Sequence, residues 1–407
     1  MGPDRRANGV GKNSILRPPV REGFLMVTPA YAPASVKLDA RTGLGSDATQ
    51  ALLGAVLRAT TRASDLIFSP GRTPQVGVHG QLAAVQAPGM RMLTADDTRR
   101  IASDLIGDNK QAITMLREQG SCDVSYGLAG TARFRVSVFI QRGSCAVVMR
   151  VIPTEVPSFE QLGLPAQLAD VAKLQDGIVL VSGPRGSGKS STLAALVDRI
   201  NEQRTCHIIT IEDPIEFLHN HKRATIHQRE VHSDTPNFSQ ALRSALRQAP
   251  QVILVGEIRD RETTEMLLEA AETGHLVLSS LNTVDAPKAV ERLVSSFSFA
   301  EQSAVRSRLA KSLRYIVAQR LLPRKDGNGR VAAIEMLKVG PTTRECIEFG
   351  EYPAKTLLKL MKDGSSEGMR YFDGEIEKLV RSEMVDLETA LNFATNPTEL
   401  RTTLCGS

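Results

Sequence analysis

Gly183-Pro184-Arg185-Gly186-Ser187-Gly188-Lys189-Ser190 fits the pattern G-x-x-x-x-G-K-[ST] in full. An apolar strand, 177–182, runs directly into it, and a good helical stretch from Ser191 to Ile200 follows. That context turns a pattern into a phosphate site. Glycines let the backbone wrap closely, so N–H groups and the helix N-terminus face the anion. Lys189 is placed to reach the β and γ phosphates of a nucleotide, and Ser190 to offer its hydroxyl to Mg²⁺. The expected nucleotide-binding set is therefore Gly183, Pro184, Arg185, Gly186, Ser187, Gly188, Lys189, Ser190 and Ser191.

Hydrolysis needs carboxylates beside that loop. Gln251-Val-Ile-Leu-Val-Gly-Glu257 reads as a buried strand ending in an acid, and Glu257 is the candidate for polarising the attacking water. The position before it, which in sites of this class usually carries the acid linked to the ion, is Gly256, so the metal is expected to be held mainly through water. A second acidic group, Ile211-Glu212-Asp213-Pro214-Ile215-Glu216, closes the preceding strand. Glu212 and Asp213, with Ser190 and Glu257, make up the candidate metal set. Arg259 and Asp260 are expected to pair with one another or across a subunit face. His275 opens the next strand, beside the Glu257 strand, and is a candidate for sensing the γ phosphate, against the plainer reading of a satisfied core histidine.

These groups need a scaffold that carries strand ends to one edge. Residues 178–182, 207–212, 252–256 and 275–280 read as strands, and 189–202, 238–247 and 261–273 as helices. That alternation implies an α/β unit with a mostly parallel sheet and right-handed crossovers. Before it, a helix over 47–58, short strands within 65–85, a helix over 95–118 and strands at 132–139 and 144–151 make a small α+β unit. The division is 1–45 a basic leader without a fold, 46–150 the small unit, 151–159 a linker, 160–340 the catalytic core and 341–407 a helical C-terminal region. Glu301 to Arg320 reads as a basic helix, better suited to a subunit contact than to DNA.

Composition narrows the function. Over 407 residues the formal net charge is +5, and residues 1–45 carry seven Lys/Arg against three Asp/Glu, or +4 of it. A basic tail of this kind attracts anionic lipid or an acidic partner, or is simply solvated. There is no Trp, which leaves little for base stacking. Five scattered cysteines fit neither a disulfide framework nor a zinc site. No apolar run approaches the ~20 residues of a membrane span. The expectation is a soluble cytoplasmic protein, at most peripheral to a membrane. His219-Asn220-His221 and the histidines around it read as a polar surface.

The phosphate loop, Ile-Glu-Asp-Pro-Ile-Glu-Phe, Val-Gly-Glu-Ile-Arg-Asp and Gly-His-Leu-Val, in this order and spacing, resemble the secretion ATPase superfamily, and within it the PilT/PilU-type twitching-motility ATPases of type IV pili. Gln228-Arg229-Glu230-Val231, Gln319-Arg320-Leu321-Leu322-Pro323 and the segment 367–373 support that branch, and the likeness covers about residues 63–400. The resemblance implies a PAS-like N-terminal domain, a RecA-like ATPase domain and a ring of six with nucleotide between neighbours. It also implies arginines approaching the phosphates from the N-terminal domain. Arg133, Arg135, Arg142 and Arg150 stand in the matching strand-turn-strand, with Arg135 and Arg142 the first candidates for neutralising charge on the transferred phosphoryl group.

By this resemblance the protein is a homohexamer that hydrolyses ATP with Mg²⁺ at the inner face of the inner membrane, acts on an inner-membrane pilus platform protein and drives pilus retraction. The absence of a four-cysteine module favours retraction over assembly. A Dot/Icm-like type IV secretion ATPase has a similar build. Two departures stand out: Asn282 replaces a second histidine, and Ala249 and Gln251 stand where relatives tend to carry acids. They motivate an alternative, an ATP-binding accessory subunit that modulates a paralogous ATPase. A RecA-like nucleic-acid motor is the other alternative, and would need activation by DNA.

Overall fold

The computed structural model describes residues 45–60, 63–78, 81–85, 90–153 and 155–406. The basic leader read over 1–45 therefore lies, but for Gly45, outside the described residues.

The first unit holds α1 (Gly45–Ala59), β1 (Asp65–Phe68), β2 (Gln75–Val78), β3 (Gln81–Ala84), α2 (Ala95–Ile106), α3 (Lys110–Gln119), β4 (Ser121–Leu128), β5 (Ala132–Gln141) and β6 (Ser144–Ile152). Its six-stranded sheet runs β3-β2-β1-β6-β5-β4, and every neighbouring pair is antiparallel. Alternation along β5 buries Phe134, Val136 and Val138 in a core shared with Leu53, Ile101 and Leu116 of the helices. The same alternation leaves Arg133 and Arg135 on the opposite face. The helix expected over 95–118 is two helices. Gly107, at φ +58°, ends α2, and the Asn109 side chain starts α3 by accepting the N–H of Ala112 at 3.0 Å.

The second unit holds β7 (Gly177–Ser182), α4 (Lys189–Gln203), β8 (His207–Glu212), β9 (Thr225–Glu230), α5 (Phe238–Ala245), β10 (Val252–Val255), α6 (Arg261–Glu272), β11 (Leu276–Leu281), α7 (Ala286–Ser295), α8 (Phe299–Ser312), β12 (Leu313–Pro323) and β13 (Arg330–Lys338). Its sheet order is β13-β12-β7-β11-β10-β8-β9, parallel throughout except for the β12–β13 pair. Helices cover both faces, so β7, β10 and β11 are buried at every residue. Ile178 and Leu180 point into one core and Val179 and Val181 into the other. Truncating any of these side chains to Ala would cost about 2–5 kcal/mol.

The basic helix read over Glu301–Arg320 is corrected. It ends at Ser312, and the chain passes straight into β12, which lies between β13 and β7 in the sheet. Beyond it come α9 (Pro341–Phe349), α10 (Leu357–Asp363), α11 (Phe372–Arg381), α12 (Leu387–Phe393) and α13 (Pro397–Cys405). Phe372, Ile376 and Leu400 pack on Ala318, Leu322 and Ala333, so the last helices rest on the β12–β13 hairpin.

Candidate active site

In a parallel sheet the strands deliver their C-terminal ends to one edge, and here β7, β8, β10 and β11 open there onto a cleft of about 540 Å³. Lys189, Ser190, Glu212, Asp213, Glu257 and Asn282 line it, with Arg135 reaching it from the first unit.

The phosphate loop has the backbone such a site requires. Gly183, Gly186 and Gly188 take φ of +148°, +78° and +92°. A Cβ on Gly183 would lie 2.3 Å from Ser187 Oγ and 2.6 Å from the carbonyl oxygen of Gln319. Gly188 is the N-cap of α4, so the first N–H groups of that helix face the cleft. Lys189 Nζ donates to the carbonyls of Gly183 (2.8 Å) and Pro184 (3.0 Å). Burial lowers the pKa of this ammonium, against the opposing pull of Glu257 and Glu216. Ser187 Oγ is buried with no hydrogen-bond partner among the described residues. Pro184, Arg185 and Gly186 are exposed along the lip, and Ser191 stands in the first turn of α4. A cradle of loop and helix N–H groups with a half-buried ammonium fits a polyphosphate.

The carboxylates gather opposite the loop. Glu257 follows β10; its Oε1 accepts the side-chain amide of Asn282, and its Oε2 lies 3.3 Å from Arg259 Nε. Arg259 Nη1 also donates to Asp213 Oδ2 at 2.9 Å, so one guanidinium spans both acids. Asp260 does not join it: its side chain caps α6 by accepting the N–H of Thr263 at 2.7 Å. The expected Arg259–Asp260 pair is thus replaced by a bridge inside the site. Glu212 Oε1 accepts from Thr210 Oγ1 (2.6 Å) and Gln228 Nε2 (3.2 Å), and burial pushes its pKa up. A Cβ on Gly256 would lie 3.3 Å from the carbonyl oxygen of Ile211, so β8 and β10 approach closely there.

Ser190, Asp213 and Glu257 face the cleft together and fit Mg²⁺, which commonly takes one or two protein oxygens and completes its shell with phosphate and water. Among the described residues no group of three or more His, Cys, Asp or Glu is set to hold a metal by itself.

Two of the first candidates, His275 and Arg142, are not brought to the site within this chain. His275 precedes the start of β11, whose first residue pairs with Gly177 at the start of β7. It lies about 20 Å along the strand from the phosphate loop. Its Nδ1 is 2.9 Å from the carbonyl oxygen of Ala270, behind the end of α6, so it closes a helix terminus. Arg142 sits exposed in the β5–β6 turn at φ +47°, about 23 Å along β5 from Arg135. Arg150 pairs with Asp65 at 3.0 Å, and Arg133 with Glu230 at 3.2 Å.

Sequence reasoning missed Gln319 and Arg330. Buried Gln319 donates from Nε2 to Thr192 Oγ1 at 2.9 Å, and Arg330 Nη1 lies 3.3 Å from the carbonyl oxygen of Gly186. Neither has a local signal, because β12 and β13 come to the loop only through the sheet order.

The family model described as type II/IV secretion system protein matches residues 78–371. The chain is 42% identical to the twitching motility protein of Neisseria gonorrhoeae over 80% of this chain and 85% of that one. It is 41% identical to the type IV pilus retraction ATPase PilT of Pseudomonas aeruginosa, over 82% of this chain and 95% of that one. Among solved structures, the pilus retraction motor PilT with bound ADP superposes at a TM-score of 0.74 with 38% identity, covering 86% of this chain and 98% of that one. The ATPase DotB of Legionella pneumophila superposes at 0.73 with 27% identity, over 86% and 96%.

Proposed function

This chain belongs to the type II/IV secretion system protein family and is an ATPase, and from that premise we propose that it is the hydrolytic motor of type IV pilus retraction. The observation that carries the reading is the cleft itself, with Glu257 held from both sides opposite the Lys189 loop.

In this reading the loop N–H groups and Lys189 bind the β and γ phosphates of ATP, and Glu257 orients the attacking water and takes its proton. Ser190 would hold Mg²⁺, with Asp213, Glu212 and Glu257 as candidate partners through water, and when bound the ion would supply charge neutralisation on the transferred group. Arg135 adds positive charge to the same phosphates when the first unit closes on the second. Residues 46–150 and 160–340 act as two bodies joined by 151–159, and their closure within a homohexamer is the source of force. The ring works at the cytoplasmic face of the inner membrane against the pilus platform protein.

Asn282 favours a second reading. An amide parked on Glu257 neither accepts nor releases a proton near neutral pH. An accessory subunit that binds ATP and modulates a paralogous motor would have such a site.

Steady-state ATP hydrolysis beside Glu257→Gln and Lys189→Ala, with the oligomeric state measured in each sample, separates the two. The motor reading expects turnover in the parent and a loss of about 100-fold or more in both variants, with Glu257→Gln still binding ATP. Binding without turnover in a fully formed parental ring overturns it and leaves the accessory subunit.

A further inference from the structure

We propose that Arg133 is a positioning residue that acts through Arg135, with Glu230 as its anchor. The inference rests on the reading of Arg135 as the arginine that approaches the phosphates.

Arg133 and Arg135 lie two residues apart on β5 and so share a face of the first sheet. Arg135 is exposed, lines the nucleotide cleft and makes no ion pair among the described residues. Arg133 is three-quarters buried, and its Nη2 is 3.2 Å from Glu230 Oε2. The Glu230 side chain is 4% exposed and sits at the end of β9, in register with Glu212 on β8. The same Oε2 accepts the backbone N–H of Ile215 at 3.1 Å, and Ile215 is two residues beyond Asp213. One buried carboxylate therefore ties the first unit to the acidic segment of the site.

That tie has the chemistry of a pivot. A buried carboxylate needs a counter-charge, and Arg133 is the cation that meets Glu230. Yet the grip is a single contact, and Arg133 Nε is buried with no hydrogen-bond partner among the described residues. Beside it lies a second cavity of about 280 Å³ between the units, lined by Met115, Ser125, Arg135, Asp213, Glu230 and His232. Arg135 borders both spaces. Rotation of the first unit about the Arg133–Glu230 contact would carry Arg135 into or out of the cleft, with room to do so.

A double-mutant cycle tests this on the full chain. Arg133→Ala and Arg135→Ala are each expected to lower kcat about 10-fold or more with KM for ATP changed less than about 3-fold. The double variant should be no slower than the worse single one if Arg133 acts through Arg135, whereas a route through Glu230, Ile215 and Asp213 would make the losses multiply. Losses that multiply, or a KM effect equal to the kcat effect, overturn the proposal. If Arg133→Ala does not fold, Glu230→Gln serves in its place. It removes the ion pair and keeps an acceptor for Ile215, and Arg133→Lys by itself, which keeps a cation for Glu230, should retain most of the parental rate.

A readout without turnover keeps this separate from the motor reading. In Glu257→Gln, the preference for ATP over ADP should fall equally with Arg133→Ala, Glu230→Gln and Arg135→Ala, by about 2–3-fold and so within the change allowed for KM. Lack of any nucleotide binding by the parent sinks the motor reading. A preference that survives loss of the Arg133–Glu230 pair, or of Arg135, sinks this one.

Discussion

Asn282, at the end of β11, donates its side-chain amide to Oε1 of Glu257, at the end of β10. With Arg259 on the other oxygen, the carboxylate has little freedom before substrate arrives. Asn282→Ala should leave nucleotide affinity unchanged and lower kcat about 10-fold, since a general base gains from being held in one orientation. Parallel measurements of kcat and of fluorescent ADP binding check the split. Equal loss in both would mean that Asn282 supports the fold of the cleft instead.

Asn282→His makes a different prediction. An imidazole beside Glu257 is a cation at low pH and would pair with the carboxylate, withdrawing it from water. Its rate should therefore rise with pH through an inflection above about 6.5, because the carboxylate favours the protonated ring. A parental pH–rate profile with the same inflection would show that some other group is responsible.

Gly183 carries a steric prediction. A Cβ there meets Ser187 Oγ at 2.3 Å and the backbone oxygen of Gln319 at 2.6 Å, and the +148° φ disfavours any side chain. Gly183→Ala should push the phosphate loop away from β12 and weaken ATP binding by about 100-fold, at a stability cost of about 1–3 kcal/mol. Titration calorimetry and a urea melt measure the two effects. A melt that moves while affinity stays constant would show that the loop adapts.

Much of this site was legible because it is local. The loop, its lysine and the acid after β10 each lie within one strand-to-helix connection. His275 was misplaced by a rule that the sequence does support: parallel strands present their C-terminal ends, and His275 stands at the other end of the strand that finishes beside Asn282. The first part of β12, up to Arg320, reads as helix because both faces of the strand are buried, which removes the period of two, and no Gly or Pro stands near the Ser312–Leu313 boundary. β9 is an edge strand of polar residues, Thr-Ile-His-Gln-Arg-Glu, with little hydrophobic pattern to read. The Arg133–Glu230 and Arg259–Asp213 pairs join residues 97 and 46 positions apart, and only the assembled fold brings them together.

Arg259 balances two acids that face the cleft, at 2.9 Å from Asp213 and 3.3 Å from Glu257. It is half exposed, so its pull on each acid is worth about 0.2–1 kcal/mol. Removing it leaves the carboxylates more available to a divalent cation. Arg259→Gln is expected to lower the free Mg²⁺ that half-saturates hydrolysis by about 3-fold, and to reduce kcat because Glu257 loses one of its two restraints. A rise in the Mg²⁺ requirement would mean that Arg259 shapes the ion site instead of competing with it.

Glu335 on β13 gives a stability prediction with a defined sign. It is 2% exposed and accepts the N–H of Ala286 at 2.7 Å, at the start of α7, just beyond the Asn282 loop. Burial is the largest influence on its carboxyl, with Asp285 adding to it and the Ala286 N–H and Arg320 opposing, and the pKa rises from 4.5 to about 7. Between those values the native state binds more protons than the unfolded chain, so stability falls as pH rises across that window and is flat above it. The loss is at most about 3 kcal/mol. Glu335→Gln keeps the acceptor and never ionises, so it should resemble the parent near pH 4.5 and exceed it in stability at pH 8. Urea midpoints of both proteins at these two pH values decide the matter: a difference that does not change with pH would mean that Arg320 and the helix N-terminus keep Glu335 ionised throughout.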